Sequence, residues 1–120
     1  MEFLFNADRP IYVQLVEALR RAVISGEVSP GQRLPSVREL ALMAQVNPNT
    51  MQRALTQLEE EGLIYTERTN GKFVTQDHVL IGSAKQNLAR EKARLFLEEM
   101  RKMGVSAAEA EQYLRELGGE

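Results

Sequence analysis

The chain has no cysteine in its 120 residues, which excludes a disulfide framework and any thiolate metal site and fits a reducing compartment. Its one histidine, His78, has no second histidine or paired carboxylate at metal-ligand spacing, so neither a metal nor a cofactor is expected. Long apolar runs are missing too. The opening Met1-Glu2-Phe3-Leu4-Phe5-Asn6 has no basic start and only three consecutive apolar residues, so neither a signal peptide nor a membrane span is predicted, and the expected location is the cytoplasm. No serine is placed with histidine and carboxylate, and there is no glycine-rich phosphate loop. A catalytic site would have to be assembled from scattered Asp and Glu, and the chain reads as a non-enzyme. A basic excess is also lacking. With 15 Lys and Arg against 17 Asp and Glu, the net charge is -2, which by itself argues against a polyanionic partner.

The chain does carry strong local punctuation. At 43% hydrophobic and 27% charged residues it has room for one compact domain and a short appendage. Asp8 is placed to cap a first helix, with Pro10 near its first turn, and Tyr12, Leu15, Val16, Leu19 and Val23 recur at helical spacing until Ser25-Gly26. Ser29-Pro30-Gly31 has the order of a type II turn. Ser36 and Glu39 form a capping box that starts a second helix running to about Ala44. Asn47 as cap, Pro48 at the first helical position and a Val46–Met51 staple agree on one register for a third helix, which Gly62 ends.

Residues 63–68 and 72–75 are β-branched and aromatic, and Asn70-Gly71 can supply the positive φ angles of a tight hairpin, with the tip at Thr69 to Lys72. Gln76 to Ile81 reads as a link and Ser83 to Met103 as a long helix. That helix carries two apolar stripes, one through Ile81, Ala84, Leu88 and Leu95, the other through Ala89, Ala93, Phe96, Met100 and Met103. Gly104 breaks it, Ser106 and Glu109 form another capping box, and Ala110, Tyr113, Leu114 and Leu117 give a last helix an apolar face able to cover one stripe. The other stripe calls for a second copy of the chain, and with the choice of stripe open the dimer candidates are Leu88 and Leu95 from the first and Phe96 and Met100 from the second. The expected fold is mainly α with a small β-hairpin: a winged helix-turn-helix over residues 1–78, followed by a two-helix dimerisation tail over 79–120.

A helix presented over its neighbour is a common way for a small protein to reach base edges in the DNA major groove. In the third helix Met51, Ala54, Leu55 and Leu58 face inward, leaving Asn49, Gln52, Arg53 and Thr56 on the opposite face. Asn49 and Gln52 suit adenine, and Thr50 suits a phosphate or a thymine methyl, with helix capping as the alternative for Thr50 and for Asn47. Arg38 can bind phosphate, fork onto guanine or pair with Glu39. Arg53 and Lys72 suit phosphates, and Arg33 suits either a phosphate or a structural ion pair. Arg68 adds charge to the hairpin. Gly71 is a turn residue whose bareness also allows close approach of the wing to the minor groove. Double-stranded DNA is therefore the expected partner. The acidic net charge favours the rival reading, a winged-helix module that packs on protein. A third reading adds a small effector in the dimer crevice, although no residue identifies one.

Taken together, Pro10-Ile11-Tyr12-Val13-Gln14-Leu15, the run Pro30 to Ala41, the run Val46 to Ala54, Leu58-Glu59-Glu60-Glu61-Gly62-Leu63-Ile64 and Asn70-Gly71-Lys72-Phe73-Val74 resemble the GntR family of bacterial transcription regulators, and the short tail resembles its YtrA-like branch. The resemblance implies a winged helix-turn-helix, a dyad-symmetric operator and a dimer held by the C-terminal helices. It implies DNA contacts by Arg38, Asn47, Asn49, Thr50, Asn70 and Gly71. Many family members carry basic residues where this chain has Pro48 and Gln52. Some forty residues follow the wing, too few for the ligand-sensing domain of larger branches. The YtrA-like branch often lies beside ATP-driven transporter genes, so repression of such an operon is the implied role.

Overall fold

Helix ends in this chain are set by local hydrogen bonds that can be named one by one. The computed structural model describes residues 1–118, which form α1 (Ile11–Ile24), α2 (Val37–Ala44), α3 (Pro48–Glu60), β1 (Ile64–Glu67), β2 (Gly71–Val74), α4 (His78–Lys102) and α5 (Ala107–Gly118). At α2 the capping box is complete. Ser36 Oγ accepts from the Glu39 amide at 3.1 Å and Glu39 Oε1 accepts from the Ser36 amide at 3.0 Å. At α3 Asn47 Oδ1 accepts from the Asn49 amide at 2.7 Å, with Pro48 in the first turn.

Both helices end in a Schellman turn. After α3, Gly62 donates to Glu59 O and Leu63 to Leu58 O, with Gly62 at φ 80°. After α2, Gln45 donates to Leu42 O and Val46 to Ala41 O. Here the left-handed position is held by Gln45 at φ 57°, a residue without the glycine signature by which such a turn is read.

The first helix departs from expectation at its start. Asp8 does not cap it: Pro10 occupies the N-cap and no side chain caps the helix. The preceding backbone is held by Gln14, a buried amide of α1. Its Nε2 donates to Asn6 O at 2.9 Å and Arg9 O at 2.8 Å, and its Oε1 accepts from Asn6 N at 3.0 Å. Both ends of a buried polar group are thereby satisfied, and the segment before α1 is tied down so that Met1, Phe3 and Phe5 pack on the core.

The hairpin also differs in detail. Glu67 pairs with Gly71, so the loop is Arg68-Thr69-Asn70, a three-residue connection. Asn70 N donates to Glu67 O at 3.2 Å and Gly71 alone takes the positive angle, φ 102°, the pattern of a type I turn closed by a glycine bulge. A third strand-like segment joins the outer edge of β2. Gly31 N donates to Val74 O, Val74 N to Gln32 O and Leu34 N to Lys72 O, so the wing is hydrogen-bonded to the chain entering α2. The turn at Ser29-Pro30-Gly31 delivers it there, with Gly31 at φ 80°.

The region expected as a link is already helical. Asp77 Oδ1 accepts from the Leu80 amide at 3.0 Å, starting α4 at His78, and Ile81 and Ala84 pack against the winged-helix core. The chain divides into two compact units, Met1–Ala84 and the residues from Lys85 onward. The division falls inside α4. In the second unit the capping box of Ser106 and Glu109 forms as expected. The expected covering of one stripe by α5 is only begun: Ala110 is buried, while Leu114 stays 53% and Leu117 85% exposed. Ala110 has the smallest side chain of that face, and the bulkier ones beyond it find too little of the same chain to cover them.

In the first unit Leu15, Leu40, Met51, Leu55, Leu58, Leu63 and Val74 are fully buried. Beside this core α1 and α3 are joined by a bidentate ion pair, with Arg20 Nε and Nη2 donating to Glu61 at 2.8 and 2.6 Å. The hydrogen bond from Arg20 holds the Glu61 carboxyl below its ordinary pKa. Because the folded-state pKa is depressed, this contribution is present above the ordinary carboxylate range and is lost as pH falls through the lowered value. Arg20→Ala is expected to cost about 1–2 kcal/mol in urea unfolding at neutral pH, and the gap to wild type should shrink below about pH 4. A gap constant into acid would assign the loss to packing of the Arg20 stem instead.

Candidate nucleic-acid interface

Burial of one side of α3 decides what the other side offers. Met51, Ala54, Leu55 and Leu58 are each 0% exposed, and at 3.6 residues per turn this turns Asn49, Gln52, Arg53 and Thr56 to solvent. The Asn47 side-chain carbonyl is committed to its cap, leaving the Nδ2 group of an exposed residue to donate. Thr50 takes no part in capping. Gln52 lies along the helix, with Nε2 only 3.4 Å from Thr56 Oγ1, a long contact that the side chain can exchange for a base edge. Asn49 and Gln52 therefore keep hydrogen-bonding capacity on one exposed edge, the requirement for direct readout, while Thr50 is half-buried and lies around the helix from Gln52.

Arg53 sits at the border of that edge. Its guanidinium lies over the Tyr12 ring, 4.5 Å from the centroid, so it is held toward α1. Arg38, in the first turn of α2, is exposed. The alternative of a pair with Glu39 does not form, because Glu39 is taken by the capping box. The Ser36 amide, and after it the Ser36 hydroxyl, hold the Glu39 carboxyl below its usual pKa.

The wing tip is Arg68-Thr69-Asn70, one residue earlier than expected, with Asn70 Nδ2 donating to Glu67 at 3.0 Å. Gly71 follows, and the Arg33 side chain lies over it: a Cβ built on Gly71 would stand 3.3 Å from Arg33 Nε. Arg33 forms no ion pair among the described residues, although its charge helps keep Glu39 ionised. The fold thus brings Arg33 from the strand before α2 onto the wing, a placement visible only in the β-bridge between Arg33 and Phe73.

Lys72 is differently employed. Its ammonium bonds Glu59 at the end of α3 and Thr66 Oγ1 at 2.9 Å, with the side chain only 15% exposed. It pins the wing to the helix. Burial pushes the Glu59 carboxyl up, but the bonds from Lys72 and Thr66 outweigh it and the group ends below its ordinary pKa. Of the carboxylates around this surface, Glu59 is paired with Lys72 and Glu61 with Arg20, Glu39 and Glu67 are held by the neutral donors of Ser36 and Asn70 and keep their charge, and Glu60 stays exposed. Arg38 and Arg68 have no carboxylate partner among the described residues. Pairing of Glu59 and Glu61 with Lys72 and Arg20 leaves Arg38 and Arg68 as unpaired cations on a chain of net charge -2.

Nothing among the described residues gathers three His, Cys, Asp or Glu side chains suited to a metal, and none of the helices described is long and apolar enough to cross a membrane.

Residues 11–74 match the model of the bacterial regulatory proteins of the gntR family. The chain is 34% identical to the HTH-type transcriptional regulator YhcF of Bacillus subtilis, over 91% of this chain and 90% of that protein. It is 30% identical to the HTH-type transcriptional repressor YtrA of the same organism, over 96% and 89%. Among solved structures, a GntR family transcriptional regulator from Listeria monocytogenes superposes with a TM-score of 0.86 at 36% identity, covering 93% of this chain and 98% of that one. The DNA-binding domain of AraR in complex with its operator ORX1 superposes at 0.57 and 29% identity, over 62% of this chain and 96% of that one.

Gly71 offers a direct check on the wing. At φ 102°, with Arg33 against it, Gly71→Ala should lose about 1–3 kcal/mol of stability in urea unfolding. An Ala variant as stable as wild type would mean that the bulge is not held in this conformation.

Proposed function

The chain belongs to the gntR family of bacterial regulatory proteins, and from that premise we propose that it is a homodimeric repressor that binds a dyad-symmetric operator. Its relatives are named as transcriptional regulators and repressors, a family of DNA-binding proteins and not of enzymes. The observation that carries the reading is the outer edge of α3. Asn49 and Gln52 retain free polar capacity there, and Arg38 stands exposed without a carboxylate partner.

In this reading α3 enters the major groove. Asn49 and Gln52 present amides to adenine edges, Thr50 contacts phosphate or a thymine methyl, and the remaining Asn47 amide donates to the backbone. Arg38 supplies a guanidinium fork, and Arg53 neutralises a phosphate on the flank. Asn70 and Gly71 bring the wing to the adjacent groove, with Arg33 and Arg68 adding charge. Lys72 serves as the wing's anchor more than as a phosphate contact. Two copies joined through Leu88, Leu95, Phe96 and Met100 would present their α3 helices to successive major grooves about 34 Å apart. Exposure of Leu95 at 42% and Leu117 at 85% supports this, because a single chain leaves that hydrocarbon in water. By analogy with the YtrA-like branch, a transporter operon beside the gene is the proposed target.

Mobility shift against the promoter region of its own operon tests the reading. Arg38→Ala should weaken binding by about 1–3 kcal/mol, and wild-type affinity should fall steeply with added salt. An affinity indifferent to salt would favour the rival, a protein-binding module, which the net charge of -2 supports. Leu95→Glu alters a residue already exposed in the single chain, so it should leave the fold intact and shift sedimentation from dimer to monomer. A variant that stays dimeric would move the interface off Leu95.

A further inference from the structure

Two contacts join α1 to α3, and they share one register. Arg20 meets Glu61, a separation of 41 positions, and Tyr12 meets Arg53 at the same separation. Since 12 and 20 are two turns apart on α1, as are 53 and 61 on α3, the helices run side by side in the same direction with a contact at each end of the overlap. Gln57 stands between them and donates to Glu61 at 2.9 Å. The lower contact is an ion pair between two half-buried groups, while the upper one holds an exposed cation beside the edge that faces DNA in the proposed reading.

We infer that Tyr12, which lies outside both the helix-turn-helix and the wing, is a positioning residue for DNA binding. Its ring sets the direction in which Arg53 presents its charge. An arginine on a helix surface samples many rotamers, and binding a phosphate from that ensemble costs the entropy of selecting one. With the guanidinium carbon 4.5 Å from the ring centroid, much of that selection is made before DNA arrives. The attraction between cation and ring face leaves the guanidinium's outer N–H groups free to donate. The direction matters as well. Asn49, Gln52 and Thr56 occupy the edge that would meet the groove floor, and Tyr12 draws Arg53 sideways toward α1, where the groove wall runs. Arg53 therefore contacts backbone phosphate and contributes affinity without base preference. Lysine in its place would keep the charge but lose the broad, weakly hydrated guanidinium that lies over the ring.

The inference rests on the DNA-binding reading, and the test separates the two. Binding is measured by fluorescence anisotropy on a duplex from the promoter region of the protein's own operon and on a random-sequence duplex of equal length. The proteins are wild type, Tyr12→Leu, Tyr12→Phe, Arg53→Ala and the Tyr12→Leu/Arg53→Ala double variant, with folding checked by thermal melting. Tyr12→Leu should weaken binding by about two- to fivefold, the range of an exposed cation–π contact, and equally on both duplexes. Tyr12→Phe, which keeps the ring, should bind as wild type. Arg53→Ala should weaken binding and lower the salt slope by about one, and in that background Tyr12→Leu should have no further effect.

A loss from Tyr12→Leu that is the same with and without Arg53 would make Tyr12 a structural residue only and overturn the inference. A loss confined to the promoter duplex would overturn the assignment of Arg53 to phosphate. If Tyr12→Leu does not fold, Arg53→Lys takes its place: binding equal to wild type would overturn the inference, and a two- to fivefold loss would support it. Failure of wild type to bind either duplex would sink the DNA-binding reading itself, whereas binding that depends on Arg38 but shows no coupling between Tyr12 and Arg53 would sink the inference alone.

Discussion

The structure depends on the burial of one stripe of α3. Met51, Leu55 and Leu58 are wholly removed from water against α1 and α2, and each such side chain contributes about 1.5–3 kcal/mol. Their sum exceeds what the Arg20–Glu61 pair can add, since a half-exposed ion pair gives back much of its Coulomb energy in lost hydration. Hydrocarbon therefore decides that α3 docks and which face is hidden. The directional contacts at Tyr12–Arg53 and Arg20–Glu61 fix its sliding and rotation, because apolar contact alone is not directional. A reading edge needs both, since a helix free to turn by a fraction of a residue would present different side chains.

The same economy governs charge. A chain of net charge -2 keeps Arg38 and Arg68 unpaired while several of its nearby acids are held in local tasks. Glu39 caps a helix, Glu59 anchors the wing through Lys72, and Glu61 ties α3 to α1. Each has its pKa held below the ordinary value by these partners. Net charge counts residues, whereas an approaching phosphate meets the field of those left unpaired. The lysine nearest the wing tip is among those spent, and the arginine that replaces it there, Arg33, arrives from a distant part of the sequence.

Much of the winged unit was legible in the residues. Ser36 with Glu39, Asn47 with Pro48, and Gly62 mark helix ends through bonds spanning two to five positions, and the spacing of Met51, Ala54, Leu55 and Leu58 names the hidden face of α3 before any partner is known. The misses have one character. Gln14 holds a backbone segment eight residues away, Gln45 takes a left-handed angle without being glycine, and the wing loop is a residue longer than Asn70-Gly71 suggested because Glu67 pairs with Gly71. The start of α4 at His78 was masked because Asp77 caps in a stretch whose apolar period had not yet begun.

What the sequence determined by itself is the set of helices, the caps of α2, α3 and α5 and the chemistry of the outward edge of α3, since each is written in contacts between near neighbours and in a period of 3.6. Only the tertiary structure decided which charges remain for a partner. Whether Lys72 faces Glu59 or solvent, whether Arg33 lies over the wing, and whether Arg53 leans on Tyr12 depends on how distant segments meet. The energy of a charge is set by what stands within a few ångströms of it, and sequence distance carries no record of that separation.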